Sequence, residues 1–242
     1  MKSEKNSPRQ KGLPLWVILV GVLIVAAIAF PAVKNFFPKT SKEKSTPLTQ
    51  QTKTAPASYQ ITDVPYYGQK DFCYGASMMM VLKHSGLGEQ QVQKFKKILE
   101  EKGKGGPPDI FIGLKALNLI NSVRLAYSKN YNQKFADFYK RNFNLGENQI
   151  INFANPEEGL SFLKQKISAD IPVIVLIQGG NHYVVVTGYD QNDIYLNDPD
   201  PDFGKRKMAI NDFLTEWTNY QQNVEGDQIG FPGEMGMIWL EK

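Results

Sequence analysis

From residue 12 to residue 33 no charged side chain interrupts a run dominated by Leu, Val, Ile and Ala. A stretch of that length crosses about 30 Å of hydrocarbon as one helix, so residues 13–33 are predicted to form a single transmembrane anchor behind a short basic tail, residues 1–12. The pattern then changes abruptly. Residues 34–57 are rich in Lys, Thr, Ser, Pro and Gln, with almost no large apolar side chain after Phe37; such a segment buries too little to offset the entropy of ordering and reads as a flexible linker. Residues 58–242 alternate between strand and helix periods and are of ordinary size for one domain with one core. Short apolar runs predict strands over 59–64, 123–127, 149–153, 172–178, 182–189, 194–197, 207–210 and 235–240. The 3.6-residue period predicts helices over 71–84, 89–101, 132–142 and 156–167, and another from Pro107 with Ile110, Ile112, Leu114, Leu117 and Leu119 on its apolar face. Helices dominate the first half and a meandering antiparallel sheet the second, an α+β layout with a cleft between the two halves.

Charge changes this picture in one respect. The chain carries a formal +4 and a pI near 8.9, yet nine of its 28 basic residues and two of its 24 acidic ones lie in residues 1–57, which leaves that segment at about +7 and the remainder at about −3. The basic character therefore belongs to the tail and linker, where lysines suit anionic lipid headgroups, and no nucleic-acid binding is expected of the folded part. Lysine flanks the apolar span on both sides, so charge bias does not choose a topology. A short basic N-terminus before one span and a large domain is nonetheless the plan of a signal anchor. The expectation is a single-pass protein of the cytoplasmic membrane with its domain extracytoplasmic. Cleavage near Ala29 after Ala27-Ile28-Ala29 is the competing reading, against which the apolar run exceeds the usual ~7 to 15 residues of a signal peptide. A phosphate loop of the form Gly-x-x-x-x-Gly-Lys-Ser/Thr is missing from the sequence, and no nucleotide is expected to bind.

Candidate chemistry centres on the one cysteine. Cys73 stands at the start of a predicted helix, with Asp71 as the expected N-cap and Gln69 upstream. A thiol is a useful nucleophile as thiolate, which a helix N-terminus and a nearby imidazolium both favour. His182 opens a buried strand, and Asp198 follows the next one in Asn197-Asp198-Pro199. His182 would take the thiol proton and return it to the leaving group; Asp198 would hold the far ring nitrogen and so the tautomer. Gln69 would donate its carboxamide to an oxyanion hole with the Cys73 backbone N–H. Singly, each residue has an ordinary explanation: a lone cysteine as a small buried hydrophobe, a strand histidine as a hydrogen-bonded core residue, Asn-Asp-Pro as turn chemistry. Their joint order, Cys then His then acid, is the layout of a papain-like thiol enzyme. Asp198, Asp200, Asp202 and Gly204 resemble the start of a calcium loop, but the glycine comes one place late and Ala209 stands where the bidentate glutamate belongs; a structural turn is expected, and no metal or cofactor. Met78-Met79-Met80 is read mainly as core, and His84 as a partner of the helix C-terminus.

The strings Val64-Pro-Tyr-Tyr-x-Gln69, Cys73 with its helix to Gly86, His182-Tyr-Val-Val-Val-Thr-Gly-Tyr-Asp190 and Ile194-Tyr-Leu-Asn-Asp198-Pro199 resemble cysteine peptidase family thirty-nine and its relatives, the papain-fold domains named for the double-glycine leader peptidases that process bacteriocin precursors. The resemblance runs from about Tyr59 onward and extends to a short helix over residues 212–217. It implies a papain-like fold, with Cys73 as nucleophile, His182 as base, Asp198 as orienting acid and Gln69 as oxyanion donor. The sequence departs from the family's frequent Cys-Gly-Pro by reading Cys73-Tyr74-Gly75. The function expected is a membrane-anchored thiol hydrolase, a cysteine peptidase that cleaves a peptide or protein through a thioester. The alternatives are an acyl transferase or transpeptidase on the same triad, or a tethered papain-fold binding module without turnover.

Overall fold

Every residue from Tyr74 to Leu82 is buried, so α1 (Cys73–His84) is enclosed nearly all round, as a helix with no polar face must be. The structure is a computed structural model that describes residues 55–102, 106–129, 133–219 and 234–241. The expected tail and anchor, and the linker up to residue 54, lie outside these residues. Among the described residues no helix is long and apolar enough to cross a membrane. In α2 (Glu89–Lys102) only the spaced stripe of Val92, Phe95 and Leu99 is fully buried, the pattern of a surface helix. Two prolines open α3 (Pro107–Ala116), where their missing N–H groups cost nothing. Four further helices or strands alternate after it: β2 (Val123–Ser128), α4 (Gln133–Phe143), β3 (Ile150–Phe153) and α5 (Pro156–Ser168), the last capped by the Asn155 side chain on the Glu158 N–H.

The remaining elements are β4 (Val173–Ile177), β5 (His182–Tyr189), β6 (Asp193–Asn197), β7 (Lys205–Ala209), α6 (Ile210–Thr218) and β8 (Met237–Leu240). They build one sheet ordered β3-β2-β8-β4-β5-β6-β7, with the two-residue β1 (Tyr59–Gln60) paired to β5. β4 and β8 are buried at every position, and β5 at all but its first, so both faces of the sheet's centre are covered. All pairings are antiparallel except β2 with β3. That exception to the expected antiparallel sheet follows from α4, which carries the chain back across the sheet between the two strands, as parallel neighbours require.

Other boundaries shift for local reasons. The strand expected over 59–64 pairs as a strand for two residues; the Ile61 N–H still donates to the Thr187 carbonyl at 2.8 Å, and Ile61 and Val64 remain buried. Asp71 is not the cap of α1. It lies inside a 3-10 turn, Lys70–Phe72, that runs straight into α1, whose N-cap is Phe72 without any side-chain bond. The strand expected over 207–210 is β7, two residues earlier, and Ile210 begins α6, the short helix that the family resemblance implied. Met78, Met79 and Met80 are all buried. At Gly188 the β5–β6 register shifts, and a Cβ there would lie 2.7 Å from a Tyr195 ring carbon and 2.9 Å from the Tyr59 carbonyl oxygen. The missing side chain is what allows β1 to approach β5.

Candidate active site

Three elements bring the chemistry together. Cys73 is the first residue of α1 and half-buried; a helix leaves its first N–H groups without intrahelical partners, and their positive end faces this position. α1 packs on β5 and is pinned there by Ser77, whose hydroxyl donates to the Tyr183 carbonyl at 3.2 Å. His182 is the first residue of β5. In the β5–β6 pairing Val185 faces Asn197, so one step further Asp198 comes opposite Val184, diagonal to His182 and on its side of the sheet. The result is a 2.7 Å hydrogen bond from His182 Nε2 to Asp198 Oδ1. An ionised carboxylate only accepts, so Nε2 carries a proton and Nδ1 is left for the thiol.

Electrostatics agree with that assignment. Burial by itself would lower the pKa of His182, but the hydrogen bond to Asp198 and the neighbouring Cys73 side chain outweigh it and raise the group from 6.5 to about 9. Asp198 is 0% exposed. Its burial favours the neutral acid, yet hydrogen bonds from His182, the Asp200 N–H and Arg206 hold it below the usual carboxylate range.

Gln69 sits four residues before Cys73. Its N–H donates to the Pro199 carbonyl at 2.7 Å, and its side chain is not used to cap the 3-10 turn that follows. This backbone bond ties the segment before Cys73 to the segment after Asp198. Lys70 reinforces the tie, with Nζ 2.7 Å from Asp202 Oδ2 and 3.8 Å from Asp200 Oδ2. The turn that resembles a calcium loop is thus held by protein cations: Lys70 on Asp200 and Asp202, Arg206 on Asp198.

Arg206 is the member that sequence reasoning missed. Its Nε and Nη2 donate to Asp198 Oδ2 at 3.1 and 3.0 Å. Its signal in the sequence was one arginine between two lysines in a strand, which marks no partner until β7 is registered on β6. Tyr66 was also missed; its hydroxyl is buried beside the acid turn, and burial, then Asp198 and Asp200, raise its pKa. His84 is a different matter. Its ring is buried at the far end of α1, with Nε2 3.0 Å from the Asp170 carbonyl oxygen and Nδ1 3.2 Å from Asp63 Oδ1, so it ties the helix end to two neighbouring segments. Asp63, His84 and Asp170 are the group of potential metal ligands that converges among the described residues.

Residues 61–225 match the family described as Peptidase_C39 like family. A curated relative, the lactococcin transport/processing ATP-binding protein LcnC-like of Lactococcus lactis subsp. lactis (strain IL1403), is 34% identical over an alignment 74 residues long that covers 25% of this chain and 10% of that protein. The chain therefore matches about a tenth of that relative's length. Among solved structures, a C39-like peptidase from Bacillus anthracis aligns at 15% identity and a TM-score of 0.46, covering 77% of this chain and 98% of that one. The peptidase domain of Streptococcus ComA, a bifunctional ABC transporter of a quorum-sensing pathway, aligns at 17% and 0.42 over 74% and 99%. A double-glycine motif protease from an AMS/PCAT transporter, solved with its leader peptide, aligns at 17% and 0.40 over 76% and 95%.

Proposed function

Because the chain belongs to the Peptidase_C39-like family, a family of cysteine peptidases, we propose that it is a thiol peptidase of papain-like fold in which Cys73, His182 and Asp198 form the catalytic triad. The observation that carries this reading is the 2.7 Å bond between His182 Nε2 and the buried Asp198, on a ring whose other side meets the cysteine. In the proposed reaction the Cys73 sulfur forms a bond to the carbonyl carbon of a peptide. The amine leaves with the proton from His182 Nδ1, and a thioester remains. Water then attacks the thioester and gives one proton to His182, a C–O bond replaces the C–S bond, and the carboxylic product leaves. The Gln69 carboxamide and the Cys73 N–H would steady the oxyanion in both halves. An amine in place of water would make the same site a transpeptidase. The substrate class is a peptide or protein, in keeping with a relative solved with a leader peptide.

Residues 13–33 would anchor this domain to the cytoplasmic membrane and residues 34–57 would tether it on the outer side, with the span's length and lack of charge as the support. Both halves are open to direct tests. In the full chain, Cys73→Ala is expected to abolish peptide turnover with the fold unchanged, and His182→Ala to remove rapid alkylation of Cys73 by iodoacetamide at neutral pH. Alkylation that is slow in the parent chain and indifferent to His182 would replace the enzyme with a tethered binding module. Extraction by alkaline carbonate would contradict the anchor; retention in the membrane supports it.

A further inference from the structure

We propose that Arg206 is a positioning residue of the triad, which acts through Asp198 by keeping that carboxylate ionised and aimed at His182. The inference rests on the thiol chemistry proposed above for Cys73 and His182. Asp198 has no contact with solvent, and its two oxygens divide their work. Oδ1 accepts from His182 Nε2 at 2.7 Å and from the Asp200 N–H at 3.0 Å. Oδ2 accepts from the two Arg206 nitrogens. Without Arg206, both hydrogen bonds that Oδ2 accepts among the described residues are lost, and water entering the vacated space brings no positive charge to replace the guanidinium. A buried carboxylate in that position has two ways to recover: it takes up a proton, or it turns toward another donor. Either one spoils its bond to His182.

The guanidinium is itself fixed on two sides. β7 pairs with β6 so that Arg206 stands opposite Leu196, two residues before the acid. Phe203, 53% exposed and the one large hydrophobic residue described as exposed, lies with its ring 5.0 Å from the Arg206 guanidinium carbon. The guanidinium thus lies over the Phe203 ring while Nε and Nη2 bond to Asp198, a combination a lysine ammonium does not reproduce. An exposed ion pair would contribute little to anything; this one ends on a carboxylate that solvent does not touch. Arg206 is partly exposed and also lines a cavity of about 290 Å³ with Asn197, Lys205 and Lys207, so its truncation leaves a space that small cations can enter from solvent.

The test is the pH profile of Cys73 alkylation by iodoacetamide in the full chain, with parent, Arg206→Ala, Arg206→Lys, His182→Ala, Asp198→Asn and the Asp198→Asn/Arg206→Ala double variant. An ionised, correctly aimed Asp198 keeps His182 protonated and so keeps the sulfur anionic. In Arg206→Ala the pH of half-maximal labelling is therefore expected to rise by about one unit or more, the size of a lost neighbouring charge. Arg206→Lys should fall between that variant and the parent, millimolar guanidinium should bring Arg206→Ala back toward the parent profile, and Arg206→Ala should add no further shift once Asp198 is Asn. A merely structural arginine would reduce stability and leave the midpoint in place. If Arg206→Ala does not fold, the Arg206→Lys profile decides alone. An unmoved or lowered midpoint in a chain whose labelling still depends on His182 overturns the role of Arg206 and leaves the triad standing; labelling indifferent to His182 overturns the triad itself.

Discussion

Asp198 is wholly buried and yet charged, and the whole of the site's acid–base behaviour passes through it. Against the effect of burial, its bond to Nε2 and the neighbouring Cys73 side chain together lift His182 to about 9. In Asp198→Asn the alkaline limb of kcat/KM, where the imidazolium loses its proton, is expected to move from about 9 back toward 6.5. The rate at the optimum should fall about 10²- to 10⁴-fold, because an asparagine can hold the wrong tautomer. A steady-state pH–rate profile with a peptide substrate checks both. The residues of this proposed chain of contacts differ in how visible they were. Cys73, His182 and Asp198 each sit in a short local string that carries its own signal: a helix start, a strand start, a strand end before proline. Arg206 has no such string, since its meaning comes from the registration of β7 on β6. The assignment of Asp71 as a cap failed for a related reason. The turn at Lys70–Phe72 is set by the Gln69–Pro199 and Lys70–Asp202 contacts, which join segments some 130 residues apart in sequence, and local propensity has no access to them.

At the level of elements, β5 carries His182, receives α1 on its flank and pairs with three other strands: β1, β4 and β6. The weakest of these pairings is β1, two residues long, and it depends on the bare backbone of Gly188. In Gly188→Val the added side chain would meet the Tyr59 carbonyl and the Tyr195 ring. The expected outcome is release of β1, seen as rapid amide exchange at Tyr59 and Gln60, with β4 and the N-terminal half of β5 still protected. Equal loss of protection along all of β5 would contradict this. Most elements were legible because period and punctuation agree: Asn155-Pro156 opens α5, Pro107-Pro108 opens α3, and the unbroken apolar runs of β4 and β5 announce central strands. Pairing partners were not legible. Nothing in residues 150–153 states that their neighbour in the sheet is parallel, which follows from the path of α4 rather than from the strand's own side chains.

For the molecule as a whole, the raised His182 pKa links folding to pH. A group whose pKa is 6.5 unfolded and about 9 folded stabilises the native state fully below pH 6.5, and that stabilisation disappears as pH rises through 9. Asp198, depressed in the folded state, acts in the opposite direction at the acid end, where its contribution is lost as pH falls below the ordinary carboxylate range. Urea unfolding midpoints should accordingly decline from pH 6.5 to 9.5, and decline less in His182→Gln; parallel curves for the two chains would show that the histidine is not the linked group. A different kind of dependence follows from the place of β8. Residues 237–240 lie between β2 and β4, and they are the strand that joins the β3-β2 pair to the strands bearing His182 and Asp198. A ribosome or translocon delivers the chain from its N-terminus, so Cys73, His182 and Asp198 have all emerged before β8 can join the sheet. Until residue 240 has been delivered, the β3-β2 pair and the strands around His182 lack the strand that pairs with both.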